Sequence, residues 1–375
     1  MDLSYSDEQG MLRDSVDRFI RDNYDHEKRR AAIGAPDGFS RHYWRQMAEL
    51  GWLALPFAED DGGLGGSAVD TMILMEGLGH GAIVEPVFAS GILAGGVMRH
   101  GATPEQREAD LPGLIDGTRI FTLAHSEPGA RFRLPHVATR AERDGTGWRL
   151  SGTKTVVLHA PAADSLIVSA RTGGATAEPE GISLFLIDKA SEGLELQPYK
   201  TVDFLPAGDI KLDNVPVAPD ALIGPESGGL PILRKAIDES IAALCAEAAG
   251  AMEFLLQQTT SYTKERVQFG QPLAKFQVLR HRMADMSICV EEAKSMALYA
   301  ALHMEEPDAE RSRAASTAKA KIGKGARYVS QQAVQLHGAM GVTDEMPVGD
   351  FFKRLMAFET LFGNTDWHLG RMNTA

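Results

Sequence analysis

The chain has 375 residues, enough for two or three domains, and its 44% apolar residues suffice for packed cores. Lys plus Arg total 38 against 51 Asp plus Glu, a net charge of −13. Without a basic surplus to neutralise phosphates it does not read as a nucleic-acid binder, although a local basic pocket for an anionic ligand is still allowed. The stretch 1–9 is acidic and polar, unlike a secretory or transit peptide. Apolar runs such as Ile241–Leu244 and Ile73–Met75 fall far short of a membrane span, so the expectation is a cytoplasmic globular protein with no membrane partner.

Helical signals come first. Ser6-Asp-Glu-Gln9 is a capping box, and Met11, Leu12, Val16, Phe19 and Ile20 follow at helical spacing. A second helix near Arg41–Leu50 stops at Gly51. Gly62–Gly66 reads as a connector, because no Gly-Lys-Ser/Thr follows and no strand precedes it. A further helix runs through Met72, Leu74, Met75 and Leu78, and Thr103-Pro104-Glu105-Gln106 caps another. From Ile120, short β-branched runs alternate with Gly, Pro and Asp: 119–123, 136–141, 148–150, 153–158, 165–170, 182–188, 194–199 and 209–215. With no helix between them, they predict an antiparallel barrel or sandwich. Long apolar stripes then return, through Leu233–Leu255, Phe276–Ala297, Ala314–Leu336 and a segment after Pro347, predicting a four-helix bundle. The fold class is therefore α+β in three blocks: an all-α domain over 1–118, an antiparallel β-domain over 119–222 and a helical bundle over 223–375.

Cys245 and Cys289 lie far apart in apolar segments and form no CxxC pair, which argues for two reduced core thiols and against a disulfide framework or metal site. No nucleophile elbow, metal triad or GxGxxG fingerprint is present. Two dense segments remain. Tyr262-Thr-Lys-Glu-Arg266-Val-Gln-Phe269-Gly270-Gln-Pro272 continues to Gln277 and breaks a long helix with Gly-x-Pro. Helical spacing would place Arg266 and Phe269 one turn apart on one face, an arginine fork for phosphate beside an aromatic cover. Gln335-Leu-His337-Gly338-Ala-Met-Gly341 ends a helix with glycines that let backbone approach a ligand.

In this order the two segments resemble the acyl-CoA dehydrogenase family pattern Y-x-x-x-R-x-x-F-G-x-P-x-x-x-x-Q followed by Q-x-x-G-G-x-G. Glu127-Pro128-Gly129-Ala130 and Leu150-Ser-Gly152-Thr-Lys154 extend the resemblance over the whole chain. It implies a helical domain, a β-domain and a bundle, with FAD as cofactor and an acyl-CoA thioester as substrate, as in β-oxidation or steroid catabolism. The implied reaction removes an α-proton to a glutamate and a β-hydride to flavin, giving a trans-2-enoyl-CoA, with an electron-transfer flavoprotein as the usual acceptor. The implied cofactor contacts are Arg266, Phe269, Gln277, Gln335, Gly338 and Ser126.

The sequence departs from that pattern where chemistry is expected. The family glutamate position falls on Phe362, which cannot accept a proton. A second base position, used by some members, falls on Ser240, leaving only its neighbours Asp238 and Glu239 as weak candidates. The small residues of the usual flavin loop after Ser126 are replaced by Arg131, Phe132 and Arg133; the two arginines either grip a phosphate or a substrate carboxylate or belong to a solvated loop. The family's Trp-x-Thr reads Val156-Val157-Leu158. His337 is assigned to packing, and Trp367 and His368 to an interface. The retained residues are those that touch a neighbouring subunit's FAD in the family. The favoured expectation is therefore a heteromer with a related chain, a heterotetramer like the bacterial enzymes for pimeloyl-CoA or steroid side-chain substrates. The alternatives are a self-sufficient homotetramer and a non-catalytic acyl-CoA-binding subunit.

Overall fold

A computed structural model describes residues 5–372; the first four residues of the acidic N-terminal stretch lie outside it. Helices α1 (Asp7–Asn23), α2 (His26–Gly34), α3 (Arg41–Glu49), α4 (Ala68–Gly81), α5 (Gly95–Gly101) and α6 (Pro104–Ile115) come first, with a π-helix over Val87–Ala94. Strands β1 (Phe121–Ala124), β2 (Arg140–Asp144), β3 (Gly147–Leu158), β4 (Ser165–Arg171), β5 (Ile182–Asp188), β6 (Leu194–Lys200), β7 (Pro206–Val217) and β8 (Leu222–Ile223) form one sheet. The chain ends in α7 (Gly229–Glu265), the short hairpin β9 (Val267–Gln268) and β10 (Gln271–Pro272), then α8 (Gln277–Leu302), α9 (Asp308–His337), α10 (Val348–Thr360) and α11 (Thr365–Met372). The order is a helical N-terminal domain, a β middle domain and a helical C-terminal domain.

The capping boxes form as the sequence predicts. Ser6 Oγ accepts from Gln9 N while Gln9 Oε1 accepts from Ser6 N, and Thr103 and Gln106 do the same for α6. By contacts the chain falls into two compact units: Met1–Ala32 with Ser67–Ile83 and Ile241–Ala375, and Ile33–Gly66 with Val84–Ser240. The N-terminal helices thus divide, α1 and α4 joining the bundle helices and α3, α5 and α6 joining the sheet.

In the bundle unit, α4 and α7 approach so closely that a Cβ at Gly79 would strike Glu247 O and one at Gly250 would strike Glu76 O. Arg29 reaches Ala82 O at 2.7 Å and Asp350 Oδ2 at 2.7 Å, and Arg354 pairs with Glu247 through both nitrogens at 2.6 and 2.8 Å. Cys245 is buried with its thiol pushed up to about 12 by burial, whereas Cys289 is only half-buried; both are free.

In the sheet unit the strand order is β6-β7-β3-β2-β4-β5-β8, with β1 added beside β4. The sheet is mixed rather than wholly antiparallel. β1 runs parallel to β4, and Arg140 bridges Arg171 in parallel register. The return from β1 to β4 carries the β2–β3 hairpin rather than a helix, so the missing helical signal concealed a parallel crossover. The expected strand at 136–141 begins only at Arg140, because the N–H groups of Ala138 and Thr139 donate to the Glu127 carboxylate instead of a neighbouring strand. The expected runs 148–150 and 153–158 are one strand, interrupted by register shifts at Leu150/Gly152 and Lys154/Val157.

Candidate functional site

The two motif segments meet at one end of the bundle unit. α7 stops at Glu265 and the chain reverses in a two-residue hairpin turn with Phe269 at φ 53° and Gly270 at φ 80°. Positive φ at both central residues is the turn that matches strand twist, and it is why Arg266 and Phe269 do not share a helix face. Arg266 leads into β9 and Phe269 occupies the tip, where it is 89% exposed. Leu273 N closes the hairpin on Arg266 O at 2.9 Å, and Phe276 lies edge-on to Phe269 with centroids 6.1 Å apart, just before Gln277 opens α8.

Tyr262, in the last turn of α7, stacks on His337 at the end of α9, with centroids 4.4 Å apart and planes 26° apart. That stack joins the second motif to the first. His337 Nδ1 lies 2.8 Å from Ala333 O and burial holds its imidazole below the usual value, which fits the packing role. Gln335 and Gly338 are exposed beside it, and Gly338 takes φ 63°, a left-handed conformation suited to glycine. Thus Arg266, Phe269, Gln277, Gln335 and Gly338 belong to one unit, whereas Ser126 belongs to the other.

At Val156-Val157-Leu158 only the first side chain is exposed, and its backbone N–H is spent within the chain. Val156 sits at φ 53°, unusual for a β-branched residue, and its N–H donates to Asp209 Oδ1 at 3.0 Å and Tyr199 Oη at 3.1 Å. Tyr199 Oη donates to the same carboxylate oxygen at 2.8 Å, and burial with this bond pushes the phenol up to about 12. Leu158 O accepts from Thr122 Oγ1 at 2.5 Å, and its side chain offers no hydrogen bond. These residues do not fit a flavin resting on this chain's β-surface, where an aromatic ring and a hydroxyl would be needed. The hairpin leaves the Arg266 guanidinium and the Phe269 ring exposed.

Neither base position supplies a free carboxylate. Phe362 takes φ 56° in the turn between α10 and α11. Lys319 Nζ pins that turn by donating to Phe358 O at 2.7 Å and Gly363 O at 2.9 Å, while Glu359 accepts from Thr365 N at 3.0 Å. A Cβ at Gly363 would strike Trp367 Cδ1 and approach His368 Nε2 to 2.7 Å, so only glycine fits there. Trp367 and His368 pack against this turn; His368 is fully buried, and burial with the Lys319 and Arg371 charges lowers its imidazole to about 3.

Asp238 is fully buried. Glu239 is spent in a clamp, with Arg99 Nη2 at 2.6 Å and His100 Nε2 at 2.8 Å. Burial raises its carboxyl, but the His100 hydrogen bond and the Arg99, His100 and Lys235 charges outweigh that and leave it below the ordinary carboxylate range. A carboxylate held this way is a poor proton acceptor. Glu239→Gln is expected to cost about 1–3 kcal/mol of stability through the lost charge-assisted bonds, with turnover per folded molecule unchanged. Thermal melts and active-site-normalised rates check both parts.

Sequence reasoning missed Lys319, Tyr199 and Asp209. Lys319 carried a signal, a lysine inside the apolar stripe of Ala318, Ile322 and Ala326. Tyr199 and Asp209 carried none, because cross-strand register brings them together.

The model of the acyl-CoA dehydrogenase N-terminal domain matches residues 6–118, that of the middle domain 122–215 and that of the C-terminal domain 227–375. The mitochondrial long-chain specific acyl-CoA dehydrogenase of Rattus norvegicus is 30% identical over 358 residues, covering 92% of this chain and 80% of that protein. Among solved structures, a variant of the Tcur3481-Tcur3483 steroid ACAD is 30% identical with a TM-score of 0.88, covering 98% of this chain and 97% of that one. The ChsE4-ChsE5 complex from Mycobacterium tuberculosis contains a chain that is 25% identical with a TM-score of 0.90, covering 100% of this chain and 98% of its own. With the three domains in order and relatives spanning nearly its whole length, the chain belongs to the acyl-CoA dehydrogenase family of FAD-dependent oxidoreductases.

Proposed function

We propose that this chain is one subunit of a heteromeric acyl-CoA dehydrogenase, in which a related chain holds the FAD and supplies the base while this chain completes that site from outside. The observation that carries the reading is the hairpin tip. A phenylalanine held in a left-handed conformation and 89% exposed is costly in water, and it becomes reasonable where a partner or ligand covers it. Arg266 beside it supplies a fork for phosphate oxygens. Three further features support the same division: the Val156 N–H is spent on Asp209 and Tyr199, Phe362 stands at the family glutamate position, and Glu239 is clamped.

FAD, when bound, supplies hydride acceptance for the desaturation of the acyl-CoA to a trans-2-enoyl-CoA. This chain's part is to bind and orient. Arg266, with Gln335 and the Gly338 backbone, would hold the nucleotide end, and Phe269 would cover a ring. The names of two similar structures, a steroid ACAD of two gene products and a two-chain complex, favour a related chain as the partner. An electron-transfer flavoprotein is the proposed electron acceptor. Among the described residues no helix is long and apolar enough to cross a membrane, which is compatible with the proposed cytoplasmic setting.

The test is reconstitution. Enoyl-CoA formation is measured for this chain, for the related chain and for the two together. The account expects turnover only from the pair. A related chain fully active alone would assign this one a regulatory role, and turnover by this chain alone would restore the homomeric reading.

A further inference from the structure

Helix α2 is joined to the bundle unit by charge more than by an apolar face. Of its nine residues only Arg29 and Ala32 are buried. Arg29 Nε donates to Ala82 O at 2.7 Å and its Nη1 to Asp350 Oδ2 at 2.7 Å. One buried guanidinium therefore ties α2 both to the end of α4 and to the first turn of α10. Apolar contact has no direction, whereas a charge-assisted hydrogen bond fixes the geometry of what it holds.

His26, Arg29 and Arg30 follow the i, i+3, i+4 spacing that places side chains on one helix face. The outer two reach the segment 338–347, which starts at Gly338 and links α9 to α10. His26 Nε2 lies 3.2 Å from Asp344 O, and Arg30 Nη1 donates to the same carbonyl at 3.3 Å. Arg30 Nη2 pairs with Asp344 Oδ2 at 3.2 Å. The Arg30 hydrogen bond and charge hold the Asp344 carboxyl below the ordinary carboxylate range, and the Lys353 and His26 charges add to this. Backbone and side chain of one residue are thus gripped by a helix 314 residues away in sequence. The grip offers little to stability, because the Arg30 and Asp344 side chains are 40% and 74% exposed, where water screens an ion pair. Burial does not hold the segment's outer part either: Val342 is 73% exposed, and Gly338, Ala339 and Glu345 are exposed as well.

We infer that α2 is a positioning helix for the nucleotide contact: His26 and Arg30, acting through Asp344, set the path of the segment 338–347. The inference rests on the proposed role of Gln335 and the Gly338 backbone toward a flavin nucleotide held by the related chain. A backbone contact can be aimed only by fixing the backbone that makes it. A segment ordered in advance also lowers the ordering cost when the nucleotide arrives. Arg29 anchors the helix, and its two neighbours on the same face direct the loop. His26 and Arg30 touch no reacting group and are positioning residues.

Two readouts test this. One is amide hydrogen exchange across 338–347 in the isolated full chain, which needs neither flavin nor partner; the other is the rate of flavin release from the assembled pair. The variant His26→Ala/Arg30→Ala keeps Arg29, so its melting temperature should stay near that of wild type. Its exchange across 338–347 is expected to rise roughly five- to tenfold and its flavin release roughly threefold or more. Asp344→Arg sets like charges together and should act in the same direction. Arg30→Asp/Asp344→Arg should then bring both rates back toward wild type, a rescue that general destabilisation would not give. Should the alanine variant melt well below wild type, Asp344→Asn removes the ion pair alone at an exposed side chain and is expected to give a smaller rise in both rates; no rise would overturn the inference. Unchanged exchange in the alanine variant would also overturn it. So would faster exchange with unchanged flavin release in a pair where Arg266→Ala does speed release. If Arg266→Ala leaves release unchanged too, the nucleotide reading itself fails and the positioning role falls with it.

Discussion

Lys154→Met is expected to cost about 3–5 kcal/mol of stability, the usual penalty for leaving one member of a buried ion pair uncompensated. Lys154 is fully buried on β3, and its Nζ donates to Glu127 Oε1 at 2.6 Å and Ser169 Oγ at 3.0 Å. Burial pulls the ammonium down to about 8, against the opposing pull of Glu127, so it is still a cation at neutral pH. Methionine has similar volume and no charge, and it strands the Glu127 carboxylate and the backbone it organises. The companion variant Lys154→Met/Glu127→Gln should recover a large part of the loss, because the stranded charge is then gone.

The pair also sets a pH dependence. Burial raises the Glu127 carboxyl, but the Lys154 charge and hydrogen bond together with the Thr139 and Ala138 donors outweigh it, leaving the folded value below the ordinary 4.5. A folded value below the unfolded one means that this stabilisation is present above pH 4.5 and disappears as pH falls through the folded value. Acid unfolding of Glu127→Gln should accordingly lose part of its pH dependence in that window, as followed by circular dichroism.

Substitution at the hairpin should separate function from stability. Arg266→Ala in the assembled pair is expected to weaken flavin retention roughly 10–100-fold, the loss of a charge-assisted contact. Phe269→Gly is the sharper variant. Glycine takes φ 53° without strain, so the melting temperature should hold or rise slightly, while the flavin loses its cover and dissociates faster. Fluorescence of released flavin on dilution measures both effects. If Phe269→Gly changed stability and left flavin retention intact, the exposed ring would be merely a turn residue.

The block order of helices, strands and helices was legible because each block has its own apolar period, and capping boxes at Ser6 and Thr103 marked helix starts through local side-chain chemistry. Less legible were features decided by tertiary contacts. The helix-breaking power of Gly270 and Pro272 was visible, yet the hairpin that separates Arg266 from Phe269 depends on a phenylalanine accepting positive φ, which propensity opposes. The parallel placement of β1 beside β4 leaves no local trace, since only the long crossover between them permits it. Glu239 and Arg99 are 140 residues apart, so nothing in the neighbourhood of Glu239 announced that its charge was already satisfied. The Tyr199–Asp209–Val156 cluster escaped for the same reason, depending on register across β6, β7 and β3.

The most direct measurement is the visible absorption spectrum of this chain, purified alone after saturation with FAD and removal of the unbound excess. The account predicts no flavin band from the isolated chain and a full band once the related chain is added. One equivalent of FAD per isolated chain would contradict it, since the β-surface around Val156 and Leu158 would then be holding a flavin by itself.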